Sequence, residues 1–203
     1  MRLRLGIVAL LVVVSACASS AAAGRHCRPA GAATLASSPQ ARVYSWHGGV
    51  YGCSFSGGRS FRLGGAARAL RGTSVDPVVV AGNSAADGVS RFGVDTVMTS
   101  LVVRRLTDGK QLADFAVTRS GVVEGVESVS SMVLKGDGAV AWIGVAHSLV
   151  GHGEVIEVHA ADASSSGDRL LDSGPQVAPQ SLRLHGSTIT WTRGAATRKA
   201  TLR

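Results

Sequence analysis

Residues 131–142, SMVLKGDGAVAW, return about fifty residues later as residues 181–191, SLRLHGSTITW. In the first copy Met132 and Leu134 precede a Gly136-Asp137-Gly138 turn, with Val140 and Trp142 after it; Leu182, Leu184, Ile189 and Trp191 hold the same places around Gly186-Ser187 in the second. A spacing of two puts each apolar pair on one face of a strand, and glycine supplies the positive φ that a tight hairpin needs. Each copy therefore reads as a β-hairpin, and the chain as an all-β repeat.

Working outward, a second echo interleaves with the first. Residues 50–63, 97–117 and 155–171 each read as strand, turn, strand, and the turns end in glycine or aspartate followed by Arg59, Lys110 or Arg169. Residues 42–44, 50–55 and 60–63 form an expected three-stranded meander, residues 77–81 a further strand, and residues 82–94, rich in Asn, Ser, Ala and Gly, a loop. Residues 66–70 could hold one helical turn between glycines. Two hairpins per repeat give a four-stranded unit.

Units of this kind, repeating at about fifty residues, resemble the blades of β-propellers. Over residues 42–203 the chain resembles propeller-like extracytoplasmic proteins of bacteria, in the style of WD-repeat and Tol-type propellers, without a Trp-Asp dipeptide. The resemblance implies a propeller-like array of three to four incomplete blades. An open partial ring, a β-sandwich and a ring completed by a second chain remain alternatives.

The first residues have the anatomy of an export signal, with two arginines, an apolar run over residues 5–14 and a tail of small residues. The run is shorter than the roughly twenty residues that span a bilayer. Two cuts fit: a lipoprotein signal of residues 1–16, leaving Cys17 for lipidation, or an ordinary signal of residues 1–23 ending at Ala21-Ala22-Ala23. Both place the protein outside the cytoplasm, secreted or anchored to the outer face of the membrane. Both leave Cys27 and Cys53, which in an oxidising compartment are expected to form a disulfide. Residues 24–41, small and polar with two prolines, read as a lead-in linker to the domain of residues 42–203.

No G-x-S-x-G elbow, phosphate loop, dinucleotide fingerprint or Cys-x-x-Cys appears, and no cofactor is expected. His147, His152, Glu154, Glu157 and His159 are the one local cluster of metal-ligand types. His152, Glu157 and His159 could share a zinc-sized ion, but alternation with Ile156 and Val158 instead puts Glu157 and His159 on the solvent face of a strand. Residues 162–167, DASSSG, share the opening spacing of a calcium loop, but with Ser173 at its twelfth position a plain turn is the better reading. Trp46, Trp142 and Trp191 are expected to pack in the core or rim, with a carbohydrate-stacking surface as the alternative.

Charge is unevenly spread. Residues 24–75 hold seven arginines and no acid; residues 76–172 hold seven basic and thirteen acidic residues; residues 173–203 hold five basic residues and no acid. If first and last strands meet, the basic ends form one positive sector, with Arg59, Arg62, Arg68, Arg71, Arg198 and Lys199 facing anionic envelope polymer or lipid head groups. The plainer reading is that these residues keep a glycine-rich β protein soluble. An exported chain has no expected access to nucleic acid, despite a pI near 10.4. The expected function is a noncatalytic binding or scaffolding module at the cell surface, with an envelope-polymer hydrolase or lyase as its rival.

Overall fold

The computed structural model describes residues 27, 29–66, 73–119, 124–151, 153–163 and 165–203. Among them the chain is all-β. Four successive units carry the strands: β1 (Ala33–Ser37), β2 (Ala41–Trp46), β3 (Gly49–Ser54) and β4 (Ser60–Ala66); β5 (Thr73–Ala81), β6 (Ser84–Phe92), β7 (Thr96–Arg105) and β8 (Gln111–Ala116); β9 (Gly125–Leu134), β10 (Val140–Ser148), β11 (Glu154–Ala161) and β12 (Arg169–Ser173); and β13 (Arg183–His185), β14 (Thr188–Arg193) and β15 (Ala196–Thr201).

Within each unit neighbouring strands pair antiparallel. Short parallel pairings, two residues long, join β4 to β5 and β7 to β9, so the first three units share one mixed sheet of twelve strands while β13–β15 form a second sheet. Hydrogen bonding does not join the two sheets into a closed barrel or propeller ring. The expected closure, which would bring the first and last strands together, is not formed by strand pairing among the described residues.

The repeated hairpins form in the expected register: Met132 faces Trp142 and Leu134 faces Val140, while Leu184 faces Ile189. A bulge opposite Ile143 and Gly144 leaves Ser130 unpaired, which lets Val129 and Met132 reach the same core although they are three residues apart.

Three apolar cores lie between successive units. Ala41, Val43, Val50 and Leu63 pack against Val75, Ala85, Val89, Val102 and Leu106. Phe115, Leu101 and Val103 pack against Met132, Leu134, Val140 and Trp142. Ile143, Val145, Ile156 and Val158 meet Leu182, Ile189, Trp191 and Leu202. Strand β10 is thus buried on both faces, alternate residues serving different cores. A fourth, smaller cluster covers the outer side of the first unit, where Cys27 is joined to Cys53 with Cα atoms 5.6 Å apart and both packed beside Tyr44.

Two expectations are corrected here. Residues 82–94 are not a loop, because β6 runs through them. Ala85 and Ala86 are fully buried towards opposite cores, and a side chain at Gly88 would meet the Asp76 carbonyl at 2.7 Å. Small residues are what a strand crowded on both faces requires, and they lower its β-propensity. The segment read as a lead-in carries β1 at Ala33–Ser37, paired to β2. Residues 66–70, the candidate helical turn, lie outside the described residues apart from Ala66, which belongs to β4.

Asp87 is the polar exception in the first inter-unit core. It is fully buried, its carboxyl oxygens accept no hydrogen bond among the described residues, and Arg104 Nε lies 3.4 Å away without hydrogen-bond geometry. Burial raises its pKa to about 6, against the opposing pull of Arg104. The sign follows: the unfolded chain ionises this group from its ordinary value of 3.8, the folded chain only near 6. The stability that it contributes is therefore fully present below 3.8 and lost as pH rises through about 6. Urea unfolding from pH 3 to 7 should show a loss of about 3 kcal/mol from this group, and Asp87→Asn should flatten that slope. A native-minus-variant difference that is constant across the window would contradict the assignment.

Candidate functional site

Among the described residues, five of the seven cations of residues 76–172 lie within ion-pair distance of a carboxylate; Arg91 and Lys110, both exposed, do not. Arg104 pairs with Asp87, Arg105 with Asp108 at 2.6 Å, Arg119 with Asp168 at 3.4 Å, Lys135 with Asp137 at 3.0 Å and Arg169 with Asp162 at 3.3 Å. The Arg105 guanidinium and the Lys110 amide hold the Asp108 carboxyl down at about 2. In the last unit Arg193 pairs with Asp172.

The predicted basic residues behave otherwise. Arg59, Arg62, Arg198 and Lys199 are exposed and have no carboxylate within ion-pair distance among the described residues. Arg59 lies over the Phe61 ring at 5.7 Å. Arg62 is on β4 at the outer side of the first unit, and Arg198 and Lys199 are on β15 of the last. Arg68, Arg71, the lipidation candidate Cys17 and the signal residues lie outside the described residues. The four described cations thus form two groups, one on each terminal unit.

The last unit adds residues that its total charge alone does not locate. Ile189 and Trp191 turn inward to the core, so Thr188, Thr190 and Thr192 lie on the opposite face. Register then aligns Arg183, Thr190 and Lys199 in one row, His185, Thr188 and Thr201 in the next, and Thr192 beside Thr197. The strict Thr-Ile-Thr-Trp-Thr alternation is the sequence signal for this face; the partners across it come only with the register.

The metal-ligand candidates are reassigned. Glu157 and His159 are not on a solvent face: both are buried, His159 completely. His159 Nε2 lies 2.9 Å from Glu157 Oε2 and its Nδ1 lies 2.6 Å from Asp168 Oδ2, while the ring stacks on Trp142 at 5.0 Å. Glu157 Oε2 also accepts the Arg119 backbone N–H at 2.6 Å. One carboxylate thus lies against each ring nitrogen of His159. The face was misread because β11, like β10, is covered on both sides. Asp168 comes from the turn between β11 and β12, nine residues on, and Arg119 from the distant segment after β8; no strand alternation marks either. His147 sits instead with Glu154 at 3.2 Å, His152 lies outside the described residues, and no group of three or more His, Cys, Asp or Glu with metal-holding geometry occurs among the described residues.

Across 162–167, where residue 164 lies outside the described residues, the Ser165 backbone N–H donates to the Asp162 carbonyl at 2.9 Å, as in a turn. Asp162 Oδ1 accepts the Arg203 backbone N–H at 2.8 Å and the Arg169 guanidinium at 3.3 Å, which ties the turn to the last unit. Trp142 and Trp191 are core residues; Trp46 is half-buried and donates its indole N–H to the Ala30 carbonyl at 3.2 Å. A largely apolar pocket of 430 Å³ lies beside the first inter-unit core, lined by Leu35, Val50, Val75, Asp76, Pro77 and Val78 among others. Among the described residues, no helix is long and apolar enough to cross a membrane.

No protein-family model matches the chain, and no curated protein matches it significantly.

Proposed function

We propose that this chain is a noncatalytic binding or scaffolding module exported to the cell surface, where cations on its terminal units contact anionic envelope components. The observation that carries this reading is the partition of charge: among the described residues five of the seven middle cations, all but Arg91 and Lys110, lie within ion-pair distance of a carboxylate, whereas Arg59, Arg62, Arg198 and Lys199 project without carboxylate partners. Unpaired exposed cations keep their field for an external anion, whereas paired ones do not. The export-type first residues and the Cys27–Cys53 disulfide support an extracytoplasmic address.

The scaffold in this reading is an incomplete propeller-like array. The leading strands β1, β5, β9 and β13 are neighbours in succession, and each core is shared between consecutive units. Such an array presents its loops and terminal faces to partners. A hydrolase or lyase would need acid and base reachable by substrate, and the Glu157–His159–Asp168 cluster closes around a fully buried ring.

The test is cosedimentation of the purified protein with isolated anionic cell-wall polymer and with anionic vesicles. Binding is expected at low salt, weakened at least tenfold when Arg59, Arg62, Arg198 and Lys199 are reversed to Glu. No binding at low salt, or binding indifferent to that reversal, would overturn the reading.

A further inference from the structure

The outer face of the last unit offers more than charge. Its central row is Arg183, Thr190 and Lys199, flanked by His185, Thr188 and Thr201 on one side and by Thr192 and Thr197 on the other. Arg183, His185, Thr188, Thr197, Lys199 and Thr201 are exposed, and none of the exposed large apolar side chains among the described residues belongs to this unit. Neighbouring strands lie about 4.8 Å apart, so the Arg183 and Lys199 backbones stand roughly 10 Å from each other across Thr190. The Arg183 guanidinium donates through Nη1 to the Gln180 and Leu182 carbonyls at 3.0 and 2.7 Å. That anchor fixes the fork and leaves its other N–H groups for a ligand, which lowers the entropy lost on binding.

We infer that this sheet face binds a linear acidic polysaccharide, its carboxylates held by Arg183 and Lys199 and its sugar hydroxyls by the threonine rows. This assignment rests on the proposed function above and names its surface and ligand class. Charge complementarity selects an anion. The absence of a large apolar side chain to enter an acyl boundary argues for a soluble polymer over a lipid surface, and the hydroxyl rows argue for a partner that is itself rich in hydroxyls.

Binding of the purified protein to alginate, a polyuronate, tests this, with neutral dextran, polyphosphate and anionic vesicles as comparisons. Alginate is expected to bind at low salt and dextran not to bind. Arg183→Glu with Lys199→Glu should weaken alginate at least tenfold. Thr188→Val, Thr190→Val and Thr192→Val together should weaken alginate about threefold or more and leave polyphosphate unchanged. Because most of these side chains are exposed, melting temperatures serve as the folding check, and Lys199→Gln provides a milder variant that should still weaken binding. If Arg59→Glu with Arg62→Glu abolishes alginate binding while the Arg183 and Lys199 variant keeps it, the surface is wrong and the broader reading stands. Tighter binding to polyphosphate or vesicles than to alginate, or a threonine variant without effect, would overturn the polysaccharide assignment. A native protein that binds no polyanion would overturn both.

Discussion

Replacing Trp142 by Ala should cost about 3–5 kcal/mol. The indole is fully buried between the second and third units, stacked on Phe115 at 5.4 Å and on His159 at 5.0 Å. Its N–H donates to the Val117 carbonyl at 3.0 Å, in a segment that crosses so close to β10 that a Cβ at Gly144 would lie against the same oxygen. Truncation therefore opens a cavity, leaves a buried carbonyl without its donor, and removes one wall from the His159 cluster. Trp142→Phe keeps most of the apolar volume and should lose about half as much. Trp46→Ala, at a half-buried site, should lose less than either. Urea unfolding followed by circular dichroism gives these values, and a Trp142→Ala loss under about 1 kcal/mol would contradict the placement of a core between these units.

The second large effect is expected from the disulfide. Cys27–Cys53 closes a loop spanning 26 residues in sequence, which restricts the unfolded chain by about 3 kcal/mol. In the folded chain it holds the segment around Ala32 over Tyr44, Trp46, Tyr51 and Phe55. That cluster is small, so cross-linking rather than burial secures it. Cys27→Ser with Cys53→Ser, or reduction of the native protein, should lower stability by about 3 kcal/mol and shift Trp46 emission first, since its indole N–H is bonded to Ala30 in the tied segment. Equal stability with and without reductant would contradict this.

How much of this was legible depended on whether a strand had one covered face or two. The hairpins at 131–142 and 181–191 announce themselves through alternation and glycine turns, and the register follows. The disulfide was legible from cysteine arithmetic and compartment. Strand β6 was not, because being crowded on both faces selects Ala, Ser and Gly over the β-branched residues that mark strands. The same double burial inverted the reading of Glu157 and His159: alternation identifies two faces, but which one meets water depends on the neighbouring unit. Ring closure was beyond local pattern altogether, since it depends on the angles between units. The exposed cations at 59, 62, 198 and 199 were named from the sequence; their lack of carboxylate partners, and the alignment of Arg183 with Lys199 across Thr190, required the register.

The central claim is that Arg59, Arg62, Arg198 and Lys199 are free for an external anion while middle cations held by carboxylates are not. The most direct measurement is the salt dependence of binding to anionic cell-wall polymer, compared between two variants of equal charge change. Neutralising Arg62 and Lys199 to Gln should flatten the dependence of affinity on salt and weaken binding at low salt, because each removes a field felt outside the protein. Neutralising Arg105 and Lys135, which are held by Asp108 and Asp137, should leave both nearly unchanged. Equal losses from the two pairs would show that only net charge matters, and would contradict the account.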